Sequence, residues 1–325
     1  MIAFDNQQYQ RCALCPRVCH ANRLTGANGF CAEGWQCRVA YIGAHFGEEP
    51  CISGRYGSGT IFFSGCSCGC FFCQNHQLSQ GHLGELLSPD ELLERCRDLA
   101  RSGVHNLNFV TPEHFWPHIR FLCQNLRQEG CELPFLWNSS GFSKIEMLAE
   151  QSRYIDIFLP DYKFAEPELA RRCLGRPDYP EIALSALRLL IDRKGFLRPF
   201  DSSGEITASC GVMVRHLLLP GQVQNTLAVL QLLQREFGSD LPLALMRQFT
   251  PMPECHARKF LDRKVSAAEY ALAAGEAQRL GFRRLFLQDD DDGSFLPDFR
   301  LRQQPFAGNR EPGRLPAETQ TSGNT

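Results

Sequence analysis

Four cysteines fall within eight positions of GTIFFSGCSCGCFFCQNHQLSQ, residues 59–80, directly after an apolar run. They are Cys66, Cys68, Cys70 and Cys73, and thiolates so spaced suit three kinds of chemistry. A tetrahedral zinc staple takes two cysteine pairs, each about two to four residues apart, and closes the metal with four protein ligands. A redox dithiol takes one C-x2-C opening a helix, which Cys70 and Cys73 match alone. A [4Fe-4S] cluster on the C-x3-C-x2-C triplet Cys66, Cys70 and Cys73 leaves its fourth iron to an outside ligand, with Cys68 spare. A second group, Cys12, Cys15, Cys19 and Cys31, offers four thiolates within twenty residues, with Gly26 and Gly29 permitting the return bend. A closed S4 site suits zinc or an auxiliary iron–sulfur cluster equally. Lone cysteines such as Cys96 and Cys123, within helical patterns, read as buried filler.

The elements that must carry these groups show in the hydrophobic pattern. Short apolar runs occur at 60–65 (TIFFSG), 106–111 (NLNFVT), 133–138 (LPFLWN), 156–160 (DIFLP), 212–220 (VMVRHLLLP) and 241–249 (LPLALMRQF), with RRLFLQ last. Between them lie amphipathic segments at 88–100, 115–129, 143–152, 181–193, 224–236 and 266–280. Repeated strand-then-helix units predict an α/β fold with a mostly parallel sheet. Six units without a dinucleotide fingerprint point to a full or partial (β/α) barrel, (β/α)6, rather than a doubly wound sheet. Residues 1–55 read as a small Cys-rich module, 56–288 as the barrel, and 289–325 as an acidic turn (Asp289–Asp292) and a largely disordered tail. Gly57-Ser58-Gly59-Thr60 precedes a strand, so it reads as a lead-in rather than a phosphate loop.

Composition narrows the class. Of 325 residues, 43% are apolar and 22% charged, and the net charge of -2 makes nucleic-acid binding unexpected. Met1 to Arg11 has no signal-peptide pattern, and no apolar run reaches the roughly 20 residues of a membrane span, so no membrane partner is expected. Sixteen cysteines without export should stay reduced and serve as ligands, nucleophiles or filler, which makes the cytoplasm the expected compartment. The oligomeric state has no sequence signal.

The triplet, with Phe72 before its third cysteine and a strand before its first, resembles the radical S-adenosylmethionine (radical SAM) superfamily. Cys73-Gln74-Asn75 is similar to the CHN of glycyl-radical-enzyme activases. The segments CALCPRVCHANRLTGANGFC, HFGEEPCISGRYGSGTIFFSGC, NFVTPEHF, WNSSGF, DIFLPDYKF, VMVRHLLLPG and MRQFTPMP resemble the pyruvate formate-lyase activating enzyme homologues. The resemblance implies that Cys66, Cys70 and Cys73 hold a [4Fe-4S] cluster whose fourth iron is chelated by the amine and carboxylate of S-adenosylmethionine. It implies reductive cleavage of that cofactor to a 5′-deoxyadenosyl radical, which takes hydrogen from a peptide, protein or small-molecule substrate. An electron donor such as flavodoxin or ferredoxin follows. The family alternatives are activation of a glycyl-radical enzyme and a non-catalytic iron–sulfur scaffold or redox protein.

Carried over residue by residue, the resemblance implies that Phe72 and Asn75 border the cofactor and that Thr111 and Glu113 end the second strand where Gly-Gly-Glu commonly contacts the methionyl amine. Thr111 and Pro112 replace those glycines. Asn138, Ser139 and Gly141 form the polar turn after the third strand, and Asp161-Tyr162-Lys163 resembles a DLK segment whose lysine neighbours the cofactor carboxylate. Arg215 is the other candidate for that carboxylate. Strand alternation puts Arg215 and His216 on opposite faces, with Arg215 inward. His114 and His118 do not match HExxH and read as mouth-lining or capping histidines. The N-terminal cysteines precede the barrel, whereas activases with extra clusters place them after the first-strand motif.

Overall fold

The computed structural model describes residues 2–26, 29–288, 296–301 and 305–306. Its strands are β1 (Cys37–His45), β2 (Ser58–Phe63), β3 (Glu85–Leu87), β4 (Leu107–Val110), β5 (Phe135–Ser139), β6 (Ile157–Pro160), β7 (Gly211–Val212), β8 (Val214–Leu217), β9 (Leu243–Met246) and β10 (Leu285–Leu287). The helices are α1 (Pro50–Ser53), α2 (His76–Ser79), α3 (Pro89–Arg101), α4 (Trp116–Gln128), α5 (Ile145–Gln151), α6 (Pro167–Leu174), α7 (Tyr179–Lys194), α8 (Val223–Phe237), α9 (Pro253–Arg258) and α10 (Ala267–Arg279). Local chemistry sets their starts. Ser88 and Ser266 each accept from the backbone N–H three residues on, and Glu91 and Glu269 bond back to the serine N–H, closing reciprocal caps on α3 and α10.

One sheet runs β3-β1-β2-β4-β5-β6-β7 and a second ladder runs β10-β9-β8. From β2 through β7, and from β8 to β10, pairing is parallel; β1 is antiparallel to both β2 and β3. The ladders join where Met213 interrupts one continuous strand: Met213 N–H donates to the Phe158 carbonyl and Tyr162 N–H to the Arg215 carbonyl. This mixed α/β sheet is consistent with a partial β/α barrel. Among the described residues β10 pairs with β9 alone.

Alternation divides the strands into two faces. Phe109, Phe135, Trp137, Phe158, Val212 and Val214 pack in the main core, in a cluster shared with residues of α3, α4, α7 and α8. Leu136, Ile157, Leu159 and Met213 point the other way and pack on Cys51 and Ile52 of α1 and on Leu197 and Ala208. That inner face carries the polar groups described below. Among the described residues no helix is long and apolar enough to cross a membrane.

Two expectations change. The expected module of residues 1–55 does not stand apart, because β1 lies between β2 and β3 in the main sheet. Its mixed burial hid it: only Cys37 and Val39 of its nine residues are fully buried. Part of the expected tail is packed as well. Phe299 and Phe306 are buried against Phe62, Leu78 and Val110, so two aromatics suffice to seat a polar segment. The acidic stretch 289–292 and residues 307–325 lie outside the described residues.

Candidate functional site

The cysteine loop leaves the C-terminal end of β2. Cys66, Cys68 and Cys70 are buried and Cys73 is half-buried. Cys68 Sγ lies 3.8 Å from Cys70 Sγ, and Cys68 N–H donates to Cys66 Sγ at 3.3 Å. Burial, then the neighbouring Cys70 and Cys73, pushes the Cys66 thiol far up; burial and Cys70 push Cys73 to about 11. Cys70 alone is held below the ordinary thiol range, first by its bond from Cys68 and then, against burial, by the Lys163 ammonium. The loop backbone is held from outside: Arg17 donates to the Ser67 and Cys68 carbonyls, both at 2.9 Å, and Gln80 donates to the Cys70 carbonyl.

Around this loop stand the ends of the next strands. Thr111 follows β4 at φ 53, a left-handed conformation that strains a β-branched residue, and its N–H donates to the Asn138 carbonyl. Glu113 is buried; Oε1 accepts from Ser140, while Oε2 has no partner among the described residues. Burial raises its carboxyl to about 7. Half-buried Asn138 ends its strand beside buried Ser139, whose hydroxyl accepts from Gly141 N–H. Gly141 must be glycine, since a Cβ there would sit 2.0 Å from the Asp161 carbonyl. The Lys163 ammonium pairs with the Asp161 carboxylate. Burial opposes its charge, yet Asp161 and then Cys70 hold its pKa well above the usual lysine range. Phe72 is buried between Phe164 and Phe249, and Asn75 precedes α2 with its Oδ1 unpartnered among the described residues.

Arg215 points inward, as alternation predicted, but not towards a ligand. Its guanidinium is committed to Glu48 and Glu49, and Glu48 also accepts from Asn108. Those carboxylates follow β1, beside the start of β2, so Arg215 is drawn to the far end of the sheet from the cysteine loop. This corrects its assignment as a free cation for a cofactor carboxylate. His114 and His118 are buried rather than lining a mouth: His114 Nε2 donates to the Ser64 carbonyl, and His118 Nδ1 meets Tyr9 Oη at 2.8 Å.

The N-terminal cysteines fold back over the same loop. Cys12 N–H donates to Ala21 and His20 N–H to Cys12, closing a short hairpin. Cys12, Cys15 and Cys31 are buried, but Cys19 is exposed and its thiol faces the Cys12 carbonyl. Among the described residues no three His, Cys, Asp or Glu side chains converge on a single-ion site.

Residues 60–226, just over half the chain, match the Radical SAM superfamily. The chain belongs to that superfamily. An uncharacterized protein of Methanocaldococcus jannaschii is 26% identical over 224 residues, covering 66% of this chain. The match spans 59% of that relative, less than two thirds of its length. Among solved structures, methylornithine synthase is similar at 17% identity and a TM-score of 0.45, over 68% of this chain and 60% of that one. The Streptococcus suis protein SuiB bound to S-adenosylmethionine is similar at 12% identity and a TM-score of 0.46, over 70% of this chain and 48% of its own.

Radical SAM domains use an iron–sulfur cluster and S-adenosylmethionine, and the residues present suit both. The donor set after β2 is three soft thiols in one loop; burial makes Cys66 and Cys73 costly to ionise until cationic iron offsets the charge, while Cys70 is already held low. In such a cluster each thiolate holds a different iron, so the ligands need not converge on one point. Beside them lie a buried carboxyl with an unpartnered oxygen, Glu113, and a half-buried ammonium, Lys163. Sequence reasoning missed the residues that hold this candidate site together. Arg17 reaches the cysteine loop from within a segment read only for its thiols. The Tyr179 hydroxyl lies 2.9 Å from the Ser140 carbonyl and accepts from Lys163 N–H, tying two strand ends with no local signal.

Proposed function

We propose that this chain is a radical SAM enzyme in which Cys66, Cys70 and Cys73 hold a [4Fe-4S] cluster and Lys163 binds the carboxylate of S-adenosylmethionine. The cluster and its cofactor, when bound, supply one-electron cleavage of the sulfonium to a 5′-deoxyadenosyl radical that abstracts hydrogen from substrate. The observation that carries this reading is the Lys163 ammonium, held by Asp161 after β6, within electrostatic reach of the Cys70 thiol in the loop after β2. A compact cation there offsets the desolvation of an anionic group and orients it. Asp161 holds that ammonium, Tyr179 fixes the Lys163 backbone, and Phe72 with Phe164 and Phe249 keeps water from the thiolates. Glu113, Thr111, Asn138, Ser139 and Asn75 supply polar contacts to the remaining amine and ribose.

The substrate class is a peptide, protein or small molecule in the cytoplasm, and a reduced flavodoxin or ferredoxin supplies the electron. The CQN, DYK and LPG segments favour a pyruvate formate-lyase activase-like subfamily and a six-unit (β/α) core. The short span from α2 to β3 leaves no room for an inserted cluster domain. Cys12, Cys15, Cys31 and Cys19 form a second metal site, for zinc or an auxiliary cluster, once Cys19 turns inward. The deciding experiment is anaerobic reconstitution with iron, sulfide and S-adenosylmethionine under strong reductant. It should yield 5′-deoxyadenosine, and Cys70→Ala should abolish it. A loaded cluster whose electron paramagnetic signal ignores S-adenosylmethionine would indicate a scaffold or redox protein instead.

A further inference from the structure

The cysteine loop has two very different outer sides. On the side of Ser67 to Gly69 it is covered by the N-terminal segment: Arg17 binds its carbonyls, and Phe30 lies so close that a Cβ on Gly69 would meet its ring at 2.7 Å. On the side of Phe71, the residue directly after Cys70, the cover is an aromatic pair and two cations. Phe71 and Phe260 are buried with ring centroids 6.1 Å apart. The Arg258 guanidinium stands 4.6 Å from the Phe71 centroid, and that of Arg172 stands 3.3 Å from the Phe260 centroid. Both arginines are exposed, as is Lys259, which follows Arg258 in the chain. Arg258 pairs with Glu254, and Arg171 with Glu168, while Arg172 and Lys259 have no carboxylate partner among the described residues. On a chain of net charge -2 this is a local surplus of positive charge, pinned by cation–π contact to the outer wall of the cysteine loop.

We propose that this face, Arg172, Arg258 and Lys259 around Phe71 and Phe260, is the docking surface for an acidic one-electron carrier protein that reduces the cluster past Phe71. The inference rests on the reading of Cys66, Cys70 and Cys73 as cluster ligands. At this step the reduced carrier loses one electron and the cluster gains one; no proton or group moves. The arginines steer an acidic partner through charge, and their stacking holds them where a docked carrier sits one side chain from Cys70. The opposite side of the loop offers no such approach, since the N-terminal segment stands between it and solvent.

The test follows reduction of the reconstituted cluster in the full chain by stopped-flow absorbance, with reduced flavodoxin as the acidic probe and photoreduced deazaflavin as a small one. The Arg172→Glu/Arg258→Glu variant should slow reduction by flavodoxin about tenfold or more, and Lys259→Glu by less. The wild-type rate should fall as salt rises, a dependence the double variant loses. Iron content and the deazaflavin rate should not change. A flavodoxin rate in the double variant within twofold of wild type overturns the proposal, as does an equal fall with deazaflavin. A wild-type chain that binds no cluster overturns the underlying reading, which is a different failure from a loaded cluster indifferent to the patch.

Discussion

Two cations, buried Arg215 and half-buried Lys163, belong to neighbouring strands and find opposite surroundings. Arg215, on β8, is drawn to the start of the sheet, where Glu48 and Glu49 both bind it. Lys163, after β6, stays at the cysteine loop with one carboxylate, Asp161, and thiols as its other neighbours. The first is saturated by partners the chain itself supplies. The second has a single carboxylate partner among the described residues and stands near the cysteine loop. Residue type and strand position are nearly the same for both, so direction and partners decide which is structural and which can bind a ligand.

The largest effect expected from this contrast is on stability. Arg215→Ala leaves two buried carboxylates unpaired and should cost about 3–5 kcal/mol, read as a shift in denaturation midpoint at constant slope. Its iron content per folded molecule should match wild type, and a loss of cofactor affinity without a loss of stability would reverse the assignment. Next, Lys163→Ala should weaken S-adenosylmethionine binding by about 1.5–3 kcal/mol, measured by titrating the reduced-cluster signal, with little change in midpoint. Affinity equal to wild type would reduce Lys163 to a structural lysine.

That contrast could not be read from the chain. The triplet Cys66, Cys70 and Cys73 was legible because its spacing is local and the strand before it is a plain apolar run. The parallel strands and long helices were legible for the same reason, since each carries its own period. Arg215's inward direction followed from alternation, but its partners did not, because Glu48 and Glu49 lie about 166 residues away and reach it only through the tertiary fold. β1 was lost to its mixed burial pattern, and Tyr179 and Arg17 act on backbone carbonyls, which leave no mark in a sequence.

A third outcome concerns the strand that carries Arg215. His216 faces the opposite way, donating from Nδ1 to the Tyr162 carbonyl and accepting at Nε2 from Thr226. Burial lowers its pKa to about 4, below an unfolded value near 6.5. The unfolded chain therefore binds more protons between these values, and the stability His216 contributes is present above about pH 6.5 and lost as pH falls towards 4. His216 should account for about 1.4 kcal/mol per pH unit in that window, and His216→Gln should remove that share of the slope. Denaturation curves at pH 7 and pH 5 that shift equally in both proteins would show that the histidine is not the sensor. The smallest expected effect is at the cysteine-loop end. Thr111→Gly relieves a β-branched residue at positive φ and should raise stability by about 1 kcal/mol or less, part of the gain being offset by glycine's freedom in the unfolded chain. A fall in midpoint would show that the Thr111 side chain, rather than its backbone, is what the site needs.

The interleaving of β1 between β2 and β3 bears on the order in which the chain is made. The N-terminal segment emerges first but finds its anchors late: Arg23 donates to the His114 carbonyl 91 residues on, and Ile2 N–H to Asn125 Oδ1 123 residues on. Until α4 has been synthesised, the segment carrying Cys12 to Cys31 has only part of the surface it closes upon, and contacts of such long sequence separation form slowly. A chain started after His45 would not simply lack an appendage; it would expose the β2 edge that β1 covers, an invitation to pair with another copy.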